Sequence, residues 1–376
     1  MAGAGVGSGD SPVDGGVSWG TFTGEARQLR THEYGSLKWD GEKFDALIFE
    51  GGGTKGMVYA GAIKRLEQEG ILKGMKYFAG TSAGAQHAAL CAVGYTADEL
   101  AAAMQHAPWD KLLDQSSVLG CFGCVPNVYR LIKHFGWCKG EVLREHLEDL
   151  VAKKVGRKGY TLGDLFEGKG VTLRVGACDV TTRRFEMLDH VSHPDMPVAH
   201  AALASSSIPG VFVPVHHVDR YGRKHIYVDG GLEGNIPTKA FPGKRTLAFD
   251  LMSKSDWEGS GGKYIEPKSL WQFVMVLLDM VLNSAQATGG FNEAEHASSE
   301  AAMARQGIHV VKIDCKEHGM METHMTKDQI HEMMVSGWDA VDNYLDVGNF
   351  GKQSPTNPFK KVFHAVSVAV AGKVAS

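Results

Sequence analysis

Apolar positions along this chain alternate between two patterns. Short apolar or aromatic runs suit strands, and they fall at 44–49, 76–80, 171–177, 183–188, 225–228, 246–251 and 308–313. Phe44-Asp45-Ala46-Leu47-Ile48-Phe49 is apolar at five of six positions and reads as a strand buried on both faces. Longer stretches with helical spacing lie between these runs, at 55–69, 83–94, 97–106, 140–153, 197–206, 268–283 and 327–345. The last is the best marked. Thr326-Lys327-Asp328-Gln329 has the form of a capping box, and Ile330, Met334, Trp338, Val341 and Leu345 then fall on one stripe. Strands alternating with helices predict an α/β fold: a three-layer sandwich with a largely parallel central sheet flanked by helices.

The turns between these elements carry the candidate chemistry. Gly80-Thr81-Ser82-Ala83-Gly84 sits between an apolar run and a helical stretch, the setting of a nucleophile elbow. A serine there is held in a strained conformation with its hydroxyl presented. Gly80 and Gly84 leave room where a side chain would meet the neighbouring strand or helix. Upstream, the 44–49 run enters Glu50-Gly51-Gly52-Gly53-Thr54-Lys55-Gly56 and then a helix closed by Gly70. Such a turn brings bare backbone N–H groups close to an anion, either a phosphate or a developing oxyanion. It lacks the spacing of a Walker A loop. Lys55 opposes the helix dipole by roughly 0.3–1 kcal/mol, so it is either a solvated lysine or a positive group near an anionic part of a substrate. Downstream, His225-Ile226-Tyr227-Val228-Asp229-Gly230-Gly231 places an aspartate at a strand end before two glycines. Alone, that turn is ordinary.

Taken in order, these three motifs resemble those of the patatin-like phospholipase family. The resemblance runs over about residues 44 to 346. Lesser features agree: Gly136-Trp137-Cys138-Lys139-Gly140 before the helix from Glu141, Gly176 to Thr182, and Ala204 to Pro214. It implies a lipid acyl hydrolase with a Ser–Asp dyad, Ser82 as nucleophile and Asp229 as general base. It also implies an oxyanion hole from the N–H groups of Gly51, Gly52 and Gly53. Lys55, Gly56, Gly80, Gly84, Gly230 and Gly231 would support that site. No cofactor or metal ion is called for. The partner implied is a membrane or micelle lipid substrate, with peripheral membrane contact. Glu50 is a variable position in the family and carries no expectation. Ser205, Ser206 and Ser207 lack an elbow and are expected to pack near the site.

Composition narrows the alternatives. A net charge of −4 over 376 residues, with no basic stripe, gives no nucleic-acid footprint. Residues 1–38 are rich in small residues without periodicity and read as a disordered arm. The catalytic domain is expected over 39–346, and the tail over 347–376 ends in a short basic-apolar stretch that could touch lipid. Residues 253–263 read as a loop. Six cysteines without a secretory signal point to reduced thiols and a cytoplasmic location. Cys121, Cys124, Cys138 and His134 resemble part of a zinc site, but ordinary thiols are the simpler reading. Two other functions stay open. One is an α/β-hydrolase-type esterase with a triad histidine such as His296 or His309. The other is a non-catalytic lipid-binding protein that retains the fold.

Overall fold

Every run expected to form a strand does so, with its ends moved by no more than two residues. The computed structural model describes residues 41–112, 114, 125–252, 277, 302–316, 318 and 325–345, all within one compact unit. The strands are β1 (Ala46–Phe49), β2 (Tyr77–Thr81), β3 (Gly136–Cys138), β4 (Thr172–Asp179), β5 (Arg184–Leu188), β6 (Gly210–Phe212), β7 (Val215–Val218), β8 (Lys224–Asp229), β9 (Thr246–Met252) and β10 (Ile308–Asp314). The helices are α1 (Val58–Glu69), α2 (Ala83–Val93), α3 (Ala97–Gln105), α4 (Trp109–Leu112), α5 (Val125–His134), α6 (Glu141–Val155), α7 (Leu162–Lys169), α8 (Val198–Ser205) and α9 (Lys327–Leu345). Residues 1–38, 253–263 and 347–376, and the helix expected over 268–283 apart from Leu277, lie outside the described residues.

The central sheet runs β10-β9-β1-β2-β4-β8-β7, with β5 pairing β4 off that path. From β10 to β4 every pairing is parallel; β5, β7 and β8 join antiparallel. The register around β4 decides where the site forms. β2 pairs with Thr172 to Gly176 of β4, β5 with Val175 to Asp179, and β8 with Ala177 to Asp179. A strand has only two edges, and β5 overlaps both of the others in register. β2 and β8 must therefore share the opposite edge of β4, end to end and running toward each other. Thr81 is opposite Gly176, and Asp229 is opposite Ala177.

Alternate strand residues face two cores. Leu47, Phe49, Phe78, Leu173, Val175, Leu247 and Phe249 join the larger one with residues from α1, α2, α6, α8 and α9. Ala46, Ile48, Ala79, Ala248 and Val310 face a smaller one closed by Ala240, Phe241, Ile236 and Met303. A second, two-stranded ribbon pairs β3 with β6. Six elements lay outside the sequence expectation: α4, α5, α7, β3, β6 and β7. The three strands among them have three or four residues and α4 a single turn, too short to show a period. α7 did carry a signal, because Thr161 and Asp164 form a reciprocal capping box.

The predicted capping box before α9 is present: Thr326 N–H donates to Gln329 Oε1 (2.8 Å), and Gln329 N–H donates to Thr326 Oγ1 (3.2 Å). α9 then packs lengthwise on α1. Arg65, fully buried, donates to Asp342 Oδ1 (2.8 Å) and Glu69 Oε2 (3.0 Å) and lies 5.7 Å from the Trp338 ring centroid. The helices touch backbone to backbone. A Cβ on Gly61 would overlap the Met334 carbonyl, and one on Gly337 would overlap that of Val58. Gly61→Ala and Gly337→Ala are each expected to lower unfolding free energy by about 1–3 kcal/mol through overpacking. Urea denaturation checks this, and an unchanged midpoint in both variants would refute the tight crossing.

Candidate active site

The shared edge of β4 brings two side chains from opposite directions to one point. β2 ends at Thr81, and α2 starts at Ala83. Ser82 between them has φ 53° and ψ −127°, a left-handed conformation that a non-glycine residue holds at a cost of ~1–3 kcal/mol. The sharp turn depends on Gly80 and Gly84. A Cβ on Gly80 would run into the Gly84 backbone, and one on Gly84 into the carbonyls of Phe49 and Glu50. The first turn of α2 therefore lies directly on the end of β1, which leads into the triple-glycine turn.

Ser82 Oγ donates to Asp229 Oδ2 at 2.6 Å. Asp229 closes β8 and is 1% exposed, while Ser82 is 8% exposed. The other carboxylate oxygen, Oδ1, accepts the Gly231 N–H (2.7 Å). A Cβ on Gly230 would overlap the Gly176 carbonyl, so this turn lies against β4. Burial pushes the Asp229 carboxyl up to about 6, against the opposite pull of its hydrogen bonds from Ser82 and Gly231. Thr81 Oγ1 donates to Gly234 O (2.9 Å) and ties the end of β2 to the loop after Asp229.

The three serines at the end of α8, Ser205 to Ser207, brace this pair. Ser82 N–H donates to Ser205 Oγ (2.8 Å), and the Ser205 hydroxyl donates in turn to Gly176 O. Gln86 Nε2 donates to Ser206 Oγ (2.9 Å), and Asp229 N–H donates to Ser207 O (2.9 Å). Packing near the site was expected of them. Their hydrogen bonds to the elbow and to the Asp229 backbone were not.

At the triple-glycine turn, Gly53 (φ 56°) opens a short 3₁₀ segment, Gly53–Met57, that continues into α1. The N–H groups of Gly52 and Gly53 meet no acceptor among the described residues. Gly51 differs, because its N–H donates to Asn235 O (3.2 Å). Asn235 Nδ2 donates back to Gly51 O (3.0 Å) and to Glu50 Oε1 (2.9 Å), and Leu251 N–H donates to the other Glu50 oxygen. Sequence reasoning missed this Glu50–Asn235 clamp. Its one legible signal was a carboxylate placed directly after an apolar strand. Glu50 is fully buried, and burial first, then Asp250, raise its pKa well above the usual carboxylate range; Lys55 acts the other way. Lys55 is itself 9% exposed, so it is not a solvated lysine. Gly56 lies against His87, where a Cβ would stand 3.1 Å from Cε1.

No histidine nitrogen hydrogen-bonds to Ser82 or Asp229 among the described residues. His87 Nδ1 is 2.8 Å from Ala83 O, and burial lowers its pKa to about 4. His309 lies near the start of β10 beside Tyr344 Oη (2.8 Å), and His296 lies outside the described residues. The described residues hold no group of three His, Cys, Asp or Glu side chains able to bind a metal ion. Cys138 is buried, which pushes its thiol up to about 12; Cys121 and Cys124 lie outside the described residues.

An α/β sheet with a serine at a strand-to-helix elbow and a glycine-rich turn beside it defines a hydrolase-like class of protein. The sequence pattern of the patatin-like phospholipase family matches residues 47–242, just over half of the chain. The chain belongs to that family, a family of lipid hydrolases. YqhO of Bacillus subtilis is 37% identical over 207 residues, which cover 53% of this chain and 67% of that protein. The triacylglycerol lipase ptl3 of Schizosaccharomyces pombe is 28% identical over 169 residues, covering 44% of this chain and 33% of the lipase. The crystal structure of VipD from Legionella pneumophila shares the fold, with a TM-score of 0.50 at 19% identity over 81% of this chain and 67% of VipD.

A carboxyl whose pKa is higher in the folded than in the unfolded chain favours protonation on folding. The ionisation-linked cost of its burial is absent below the unfolded value near 4, builds as pH rises toward the folded value of about 6, and is fully present above it. Asp229→Asn is therefore expected to be more stable than the parent at pH 8 by about 1–3 kcal/mol, with the gain fading toward pH 4. Denaturation at both pH values checks this; a gain independent of pH would contradict an ionised, buried Asp229.

Proposed function

We propose that the chain cleaves fatty-acyl esters of phospholipids or related lipids through a Ser82–Asp229 dyad and an acyl-enzyme. The observation that carries this reading is the 2.6 Å hydrogen bond from a strained elbow serine to a buried aspartate. Asp229 takes the Ser82 proton as Oγ attacks the ester carbonyl carbon. The oxyanion that forms is met by the Gly52 and Gly53 N–H groups, which have no other acceptor among the described residues. Gly51 holds the turn in place instead, since its own N–H is turned to Asn235. The tetrahedral intermediate collapses, Asp229 returns the proton to the departing alcohol, and the acyl chain stays on Ser82. Water then attacks the acyl-enzyme, giving its proton to Asp229; as the Oγ–acyl bond breaks, Asp229 returns that proton to Ser82 Oγ and the fatty acid leaves.

A carboxylate in this role needs a pKa near the working pH, and burial moves Asp229 in that direction. Phospholipase A or lysophospholipase activity is the finer form of the proposal. The triacylglycerol lipase among the relatives extends the candidate substrates to neutral glycerides. The enzyme would meet them at a lipid surface, with a cytoplasmic location and peripheral contact. No helix among the described residues is long and apolar enough to cross a membrane. A triad esterase finds less support, because Ser82 meets a carboxylate directly and His309 is held by Tyr344.

A fluorophosphonate probe is expected to label Ser82, and Ser82→Ala to lose both labelling and ester hydrolysis, by up to ~10⁶-fold in rate, the loss found in one well-studied serine protease. Labelling of the alanine variant would overturn the assignment, and an unlabelled, inactive parent would favour a lipid-binding role. For the parent, kcat/KM on a soluble ester is expected to fall below pH of about 6 as Asp229 takes up a proton, with a plateau above. His309→Ala should stay within a few-fold of the parent, whereas losing a triad histidine would cost several orders of magnitude.

A further inference from the structure

α5 is built inside out. Its polar residues Asn127 and Arg130 are buried, with Arg130 Nη1 donating to Asn127 Oδ1 (3.0 Å) and to Trp137 O (2.6 Å). Four of its apolar residues face outward, Ile132 at 72% exposure, Tyr129 at 60%, Val128 at 41% and Leu131 at 38%, and Phe135 just beyond the helix is 60% exposed. At 3.6 residues per turn the four within the helix cover one continuous arc of roughly 160°. A helix that only closed a core would present the opposite face.

Phe135 adds an independent sign. It follows the last residue of α5 with φ 62°, the left-handed position where glycine or asparagine is the usual choice. An exposed aromatic ring is thus kept in a backbone conformation that bulky residues rarely adopt. Charge completes the pattern. Residues 125–140 include Arg130, Lys133 and Lys139 and no acidic residue, and Lys133 has no ion-pair partner among the described residues.

Position ties this face to the chemistry. α5 runs into β3, whose Gly136 pairs with Gly210 of β6. Gly210 is three residues beyond Ser207, which accepts the Asp229 N–H. We propose that α5 is the element by which the protein seats on an anionic lipid surface, with Val128, Tyr129, Leu131, Ile132 and Phe135 entering the interface and Lys133 meeting lipid phosphates. An amphipathic helix with aromatic and aliphatic residues on one face and lysine beside it suits such a plane. A protein partner fits less well. Five side chains on one short helix offer on the order of a few hundred Å², below the roughly 800 Å² per partner of a stable interface. The choice of lipid as occupant rests on the lipid-ester reading of the Ser82–Asp229 site; the helix geometry does not.

Sedimentation of the full chain with vesicles of phosphatidylcholine and phosphatidylglycerol tests the proposal. The triple variant Tyr129→Ser, Ile132→Ser, Phe135→Asn is expected to lose about tenfold or more in partitioning. It should keep the parent's circular dichroism and, within about twofold, its rate on a soluble monomeric ester. Ile132→Trp, which keeps the apolar face, should show a blue-shifted emission when vesicles are added. The parent should bind these vesicles more tightly than pure phosphatidylcholine. Undiminished binding of the triple variant, or no emission shift in the Ile132→Trp variant, would overturn the proposal. So would equal binding to neutral vesicles, or a change confined to self-association in light scattering. A parent that binds vesicles through α5 yet hydrolyses no ester would refute the dyad and leave this inference standing.

Discussion

Two strands share one edge of β4, and the site follows from that. β2 arrives parallel and stops at Thr81, opposite Gly176; β8 arrives antiparallel and stops at Asp229, opposite Ala177. Their ends face each other across adjacent positions of one strand. The next residue after β2 is Ser82, so its hydroxyl and the Asp229 carboxylate meet without any intervening group. β5 makes this arrangement obligatory by occupying the other edge of β4 along the same residues. The turn also needs small residues, because Gly80, Gly84 and Gly230 all lie against backbone with no space for a Cβ.

Burial then gives the pair its chemistry. An exposed aspartate would titrate near its ordinary value and be a weak base. At 1% exposure Asp229 rises to about 6 while two hydrogen bonds keep its carboxylate oriented. The strained backbone at Ser82 and the buried Glu50 are local costs that the large α1–α2–α9 core offsets. Glu50 and Asn235 hold the glycine turn, and Asn235 also takes the Gly51 N–H, so the N–H groups left without an acceptor among the described residues are those of Gly52 and Gly53.

Much of this was legible in the sequence for identifiable reasons. Buried parallel strands need unbroken apolar runs, so β1, β2, β9 and β10 stood out, and the elbow needs glycines at fixed offsets from Ser82. Tertiary pairing was not legible. Glu50 and Asn235 are 185 residues apart, and nothing local marks either as half of a clamp. The same limit hid the difference between Gly51 and its two neighbours. α5 escaped for another reason. Val128, Leu131, Ile132 and Phe135 do recur at helical spacing, so the helix was legible and was overlooked; what the spacing could not give is the direction of that face, since Asn127 and Arg130 are buried while Ile132 is exposed. Of the cysteines near it, read in the sequence as ordinary thiols, Cys138 is buried in a three-residue strand, and Cys121 and Cys124 lie outside the described residues.

The central claim is that Asp229 alone accepts the Ser82 proton. It is tested most directly by trapping the acyl-enzyme on the millisecond to second scale and weighing the Ser82 peptide by mass spectrometry. The parent should show the acyl adduct on Ser82 within the first turnover. Asp229→Asn, folded and able to bind the same ester, should show none over the same interval, because asparagine cannot take the proton. Acylation of Ser82 at the parent's rate in Asp229→Asn would contradict the account.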